Sequence, residues 1–392
     1  MAEPSTLSSE PYVSGSDEDG TIPEGTPDRE AARLEVDALL STVIDREAGD
    51  PANAWALAHG MLAKGADFVA TDGRLARHVL IDDFLEATAV PRRPDKVPSF
   101  PQSRGAVRVE PHTDLILKTF VEVGLPMDAP LSDRPGAPTL AALVASSQLR
   151  FEPVRSEGAS LLAEPNDAPW SAQAWCQANA NGAPDAWTTG TAGDVTLEEV
   201  SAALLGTLER ETWFIRQALA EGKPFEKKKQ GIFGFTCGGA HLFQGVEACA
   251  AKGWPKTGDT GARVAVLVDL YLERVPLETR LVEQTIQQYP GLAPLLYNQD
   301  VKFLGHLLEG LGKAERDGLW TPTADERDLM VSVETRLLYH VLQLEKLGVY
   351  RDEAMDGLAR NPETFQFYLD LVGDACHAWR GLRVQEELRA GR

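Results

Sequence analysis

The sequence predicts an all-α protein: helical hairpins closed into an (α/α)6-type toroid with long rim loops. Three observations carry that expectation. Apolar residues recur at helical spacing over most of the chain, strand-like alternation is scarce, and histidines and cysteines return at a nearly constant interval.

Taken in order, Glu30–Arg46 reads as a first amphipathic helix, with Ala32, Leu34, Val36, Leu39, Leu40 and Val43 on one stripe. Asn53–Lys64 reads as a second, stopped at Gly65. Further helices are expected over Thr139–Ser147, Thr196–Glu221, Ala262–Tyr289, Asp300–Ala314, Asp325–Leu347 and Pro362–Leu388. Thr196 with Glu199, and Thr323 with Glu326, have capping-box spacing. Val107–Val109 and Phe151–Val154 are the best strand candidates. Proline and glycine gather at 91–111, 124–138 and 164–193, which read as loops between helices.

The repeat is the most informative pattern. His112, Cys176, His241 and His306 lie 64, 65 and 65 residues apart. Three of them are followed twelve residues on by glycine and a large apolar residue: Gly124-Leu125, Gly253-Trp254 and Gly318-Leu319. Glycine there suits a helix C-cap, because it takes the left-handed conformation without steric cost. His59 and His377 extend the series in each direction. One hairpin cannot bury its own apolar face, so such units must stack on their neighbours.

Composition bounds the function. The 392 residues carry a net charge of -21, with 43% hydrophobic and 25% charged residues. An acidic chain lacks the basic face that a phosphate backbone requires, so no nucleic-acid partner is expected. The run Lys227-Lys228-Lys229 reads as a solvated loop. No apolar stretch is long enough to span a bilayer. Four scattered cysteines do not make a disulfide framework, although one bridge is possible. Residues 1–28 are rich in Ser, Pro, Gly and acid and read as a disordered acidic tail before a single domain over 29–392. That tail resembles a lipoprotein tether, which leaves an extracytoplasmic and a cytoplasmic location both open.

The sharpest chemical signal is Gly231-Ile-Phe-Gly-Phe-Thr-Cys237-Gly-Gly-Ala-His241. Cys237 and His241 stand four apart, so a helix beginning at or before Cys237 would put thiol and imidazole on one face. That donor pair suits a divalent ion such as zinc, with His306 and His340 as further ligands and His59, His112 and Cys176 as other cavity residues. A helix N-terminus would also lower the Cys237 pKa, which makes a cysteine nucleophile an alternative. Cys376-His377 diverge on a helix and read as packing, and Cys249 reads as core. Asp82-Asp83-Phe-Leu-Glu86 has the form of a magnesium–diphosphate motif, and Glu110, His112 and Asp114 form another acid/base group.

Trp55-Ala-Leu-Ala-His59-Gly60, Cys237-Gly-Gly-Ala-His241-Leu-Phe and Gly305-His306-Leu-Leu-Glu-Gly-Leu resemble a group of uncharacterised bacterial proteins with a prenyltransferase/squalene-cyclase-like helical toroid. That resemblance implies a fold and no particular activity. More distantly, His59-Gly60, Trp175-Cys176 and Cys376-His377 are similar to lanthionine-synthetase C-like cyclases, which implies a zinc held by two cysteines and a histidine inside a toroid. Cys176 is followed here by Gln-Ala-Asn instead of that family's Tyr-Gly.

Two functions follow as expectations. One is a zinc-dependent enzyme with its His/Cys site in the central cavity, acting on a small molecule or peptide. The other is a non-enzymatic protein that holds a peptide, sugar or lipid there.

Overall fold

The computed structural model describes residues 29–105, 107–155, 161–191 and 193–391. The expected tail over 1–28 lies outside them. The described chain is mostly helical. Its helices are α1 (Arg29–Val43), α2 (Ala54–Lys64), α3 (Ala76–Val79), α4 (Leu115–Glu122), α5 (Leu140–Arg150), α6 (Ala168–Asn179), α7 (Leu197–Ala220), α8 (Ala240–Ala250), α9 (Thr260–Leu272), α10 (Val275–Gln288), α11 (Ala293–Arg316), α12 (Ala324–Lys346), α13 (Asp352–Arg360) and α14 (Phe365–Arg389). Among the described residues no helix is long and apolar enough to cross a membrane.

Six of these helices pack in a cyclic succession. α2 touches α4, α4 touches α6, α6 touches α8, α8 touches α11, α11 touches α14, and α14 returns to α2. The others lie against them: α5 on α4 and α6, α7 on α6 and α8, α9 on α8, α12 on α11, and α1 on α12 and α14. One continuous apolar cluster runs from Ala32 on α1 to Leu382 on α14. Ion pairs from Arg33 to Glu334 and from Arg383 to Asp37 join the first helix to the last ones.

The capping boxes expected at Thr196/Glu199 and Thr323/Glu326 are both formed. The glycine stops also hold. Gly124, Gly253 and Gly318 have φ of 77°, 80° and 73°. The amides of Leu125, Trp254 and Leu319 each donate to the carbonyl five residues back, at Phe120, Cys249 and Ala314. This is the Schellman bond that closes a helix at a left-handed residue.

A fourth copy of that stop corrects the register of the repeat. Gly182 has φ 94°, and Ala183 donates to Ala178. Twelve residues before Gly182 stands Trp170, so Trp170 and not Cys176 is the counterpart of His112, His241 and His306.

Other expectations need revision. The segment 164–193 is not one loop, because it contains α6, a member of the cyclic succession. Ala262–Tyr289 is two helices, broken at Glu273–Arg274 ahead of Pro276, whose ring cannot continue a helix interior. Among the described residues, strands form three short antiparallel hairpins: β1 (Glu86–Ala89) with β2 (Lys96–Ser99), β3 (Ser103–Arg104) with β4 (Val107–Arg108), and β5 (Ala186–Thr188) with β6 (Asp194–Thr196). Phe151–Val154 is no strand: the Phe151 amide closes α5 on the Ser147 carbonyl, and the Val154 amide donates to Leu161.

Candidate metal centre

The glycine-rich segment does not form the helix face that its spacing suggested. Gly231–Gly234 and Thr236–Gly239 are tight 3-10 turns, and α8 begins only at Ala240. Cys237, Gly238 and Gly239 are consecutively left-handed, at φ 51°, 60° and 83°. Two glycines accept this freely. Cys237 has a Cβ and is strained there by about 1–2 kcal/mol. The turn is pinned by Arg274, which donates to the Gly238 carbonyl at 2.8 Å, and by Asn166, which accepts from the Thr236 amide at 2.9 Å.

This turn folds the thiol back over the start of α8. Cys237, His241 and His306 then offer ligand atoms that all lie within 4.8 Å of one another. His241 and His306 approach through Nε2 at 3.3 Å. Two nitrogens on a tetrahedral zinc, each about 2.0–2.1 Å from the ion, stand about 3.3 Å apart. His306 donates from Nδ1 to the Lys302 carbonyl at 2.9 Å, which fixes its ring and leaves the Nε2 lone pair facing His241.

Other rings extend the group. The His306 and His377 centroids are 3.8 Å apart, and His377 is 5.6 Å from His241 and 5.5 Å from His59. Trp170 lies between His112 at 4.3 Å and His241 at 4.6 Å. The same second-partner pattern recurs in three further histidines. Nδ1 bonds the Trp55 carbonyl in His59 at 2.8 Å, Asp167 in His112 at 2.9 Å and Glu309 in His377 at 2.7 Å. The contact of His306 with His377 depends on a close crossing of α11 and α14. A Cβ on Gly305 would fall 2.9 Å from Ala378 Cα, and one on Gly381 would fall 2.8 Å from the Gly305 carbonyl.

Desolvation favours the neutral form of His59, His241, His306 and His377. His59 is lowered to about 3, first by desolvation and then by His377. His241 and His306 are held well below the usual histidine range, first by desolvation and then by neighbouring histidines. His377 is also lowered by burial, although Glu309 opposes the shift. Neutral imidazole is the form that ligates metal. Cys237 goes the other way: burial pushes its thiol up to about 12. That direction is opposite to the one an activated nucleophile requires, and Cys237 precedes the start of α8 instead of standing on it.

One helical turn deeper lies a layer of charge. Glu122 meets Lys118 at 2.5 Å, together with Lys313 and Arg380. Glu309 meets Lys313 at 2.8 Å and Arg380 at 2.9 Å, besides His377. Burial alone would raise both carboxyls, but the surrounding cations outweigh it and hold them well below the usual range. Gln173 adds a bond to Glu122 at 3.0 Å.

The remaining candidates are placed as follows. His340 is not brought to the cluster; its Nδ1 lies 3.0 Å from Asp300 and its ring packs on Tyr297. Cys176 is bonded to Cys249 across α6 and α8, so it has no free thiol for a cavity, and Cys249 is more than core packing. Cys376 is a buried free thiol outside the cluster, so the cyclase-like ligand set is not assembled. The Asp82-Asp83-x-x-Glu86 carboxylates are occupied by Arg134, Arg74 and Arg104, and Glu86 lies on a strand, which removes the magnesium–diphosphate reading. Glu110 caps α4 through the Ile116 amide at 2.7 Å, and Asp114 ties Ser147, Ser171 and Arg150 together. Lys227 and Lys228 pair with Glu278 and Glu226.

Two members were missed by sequence reasoning. His377 was assigned to packing, yet it touches three histidines of the group. Trp170 carried no ligand chemistry, and only its twelve-residue offset from Gly182 marks it.

Among the described residues, the class the site defines is therefore a helical protein with a Cys/His/His group that could hold a metal ion. No family model, curated protein or solved structure matches the chain, so no closer kinship is available to sharpen that class.

Proposed function

We propose that the chain is a zinc-dependent enzyme whose ion is held by Cys237, His241 and His306 inside a closed (α/α)6 toroid. The cyclic succession α2–α4–α6–α8–α11–α14 supports the toroid as its inner wall. The observation that carries the metal reading is the 3.3 Å approach of two Nε2 atoms, one of them oriented from behind by a carbonyl, beside a thiol. Three protein ligands leave a tetrahedral ion one position for water or substrate, the arrangement of catalytic rather than structural zinc. Zinc bound there would supply Lewis acidity and a lowered pKa for that water or for a substrate thiol. The chain's own part is to exclude bulk water and keep the surrounding imidazoles neutral. The Cys176–Cys249 bond favours an oxidising, extracytoplasmic compartment for this protein.

Elemental analysis of purified protein supplied with zinc and with copper tests the proposal. About one zinc per chain is expected, lost in a Cys237→Ala/His241→Ala variant that retains the wild-type circular dichroism. Absence of bound metal in the native protein after both supplements would remove the reading.

A further inference from the structure

Gln173, Gln244, Glu309 and Arg380 each stand three residues beyond Trp170, His241, His306 and His377 on successive inner helices. Gln173 bonds Glu122, Glu309 bonds His377, and Arg380 pairs with both glutamates. Gln244 differs. It is 1% exposed, yet neither its amide nitrogen nor its oxygen has a hydrogen-bond partner. Its Cγ packs with the Phe243 ring against Gly310 of α11, where a Cβ would meet Phe243 at 3.3 Å. Arg380 Nη1 lies within ion-pair distance of Glu309 but makes no aligned hydrogen bond.

The charge of this layer is unbalanced. Three cations, Lys118, Lys313 and Arg380, face two ionised carboxylates, Glu122 and Glu309. Glu247 on α8 does not restore the balance, because desolvation raises it to about 8. Cationic side chains thus outnumber the carboxylates they pair with in this layer. A buried amide with no partner costs stability, and a leucine of similar size would remove that cost. Such a group stands where a ligand completes its bonds.

We propose that this deeper layer is a recognition subsite for the carboxylate of a small carboxylic acid, with Gln244 donating to it and the excess cationic charge of Lys118, Lys313 and Arg380 holding it. A carboxylate there would stand about 4.5 Å along the helix axis from the imidazole layer, three residues at ~1.5 Å each. The far end of a four-carbon acid then reaches the Cys237/His241/His306 group. That placement of the reacting end rests on the metal reading; the carboxylate subsite itself does not.

Calorimetric titration of the full chain, zinc-loaded and metal-free, with succinate, succinamide and inorganic phosphate tests the subsite. Succinate should bind, and succinamide and phosphate should bind far more weakly. Gln244→Leu should weaken succinate about ten-fold, the worth of one hydrogen bond to a charged group, and should raise the melting temperature of the free protein by roughly 2 °C. If that variant does not fold, Gln244→Glu, which places a like charge at the same spot, should abolish binding. Equal binding of succinamide or phosphate, or unchanged succinate affinity in the variant, would overturn the subsite. Gln244-dependent succinate binding in a protein that takes up no zinc would keep the subsite and sink only the metal reading.

Discussion

The two layers of the interior solve burial in opposite ways. In the imidazole layer the Nδ1 atoms of His59, His112, His306 and His377 are occupied from behind, so that their remaining lone pairs are available. In the ionic layer beneath, Glu122 and Glu309 each hold several cationic donors, while Gln244 at the same level is left without a partner. A group whose polar atoms are already satisfied is architecture, whereas one satisfied only from behind is available to an incoming partner. Mutations should therefore separate the layers: damage to the ion pairs of the lower one should cost folding, and damage to the upper one should cost metal.

The largest expected effect is in the ionic layer. Glu309→Ala strands Lys313, Arg380 and His377 and should lower stability by about 3–5 kcal/mol, read as the denaturant midpoint, whereas Glu309→Gln should cost less. A loss after Glu309→Ala no greater than that of an exposed ion pair would erase the distinction between the layers.

The pH dependence of metal-free protein sharpens it further. Glu122 and Glu309 titrate below the unfolded value, so their stabilisation is present above about pH 4.5 and is lost as pH falls through the folded values. His59, His241, His306 and His377 are likewise depressed, and their unfolded forms bind protons below about 6.5, so they also destabilise the fold on acidification. Glu110, Glu247 and Asp374 are raised to about 8, so the unfolded state releases protons that the native state keeps. They lower stability as pH climbs from about 4.5 to 8. The two sets oppose each other between about 4.5 and 6.5. A steep acid limb below about 4.5 and a shallower alkaline decline above 6.5 are expected, each uncompensated proton contributing about 1.4 kcal/mol per pH unit. Denaturation curves across pH 3–8 check this, and a monotonic profile would contradict it.

The smallest effect belongs to the upper layer. Cys237→Gly removes the left-handed strain and should stabilise metal-free protein by about 1 kcal/mol while abolishing zinc uptake. A destabilised variant would mean that the thiol serves packing.

Much of this was legible in the sequence. The helices with apolar contrast, the two capping boxes and the glycine stops at Gly124, Gly253 and Gly318 were found where expected, because each rests on local backbone chemistry. α4 and α6 escaped. Along α6 nearly every residue is buried, polar Ser171 and Gln173 among apolar ones, so no solvent-facing side exists to give a periodic signal. The fourth register position was sought among ligand-type residues, which put Cys176 where Trp170 stands. The divergence of Cys376 and His377 was read correctly as geometry, but it left open which of the two faces inward. The convergence of Cys237 with His241 was anticipated through a helix and is achieved through a left-handed turn, which spacing cannot distinguish.

The seam at Gly305 and Gly381 has a consequence for synthesis. All three proposed zinc donors precede Phe365 in the chain, so the rod that crosses α11 emerges from the ribosome after them. A nascent chain halted ahead of that rod would own the ligands without the grip that aligns them, so zinc capture should follow the synthesis of α14 instead of guiding earlier steps.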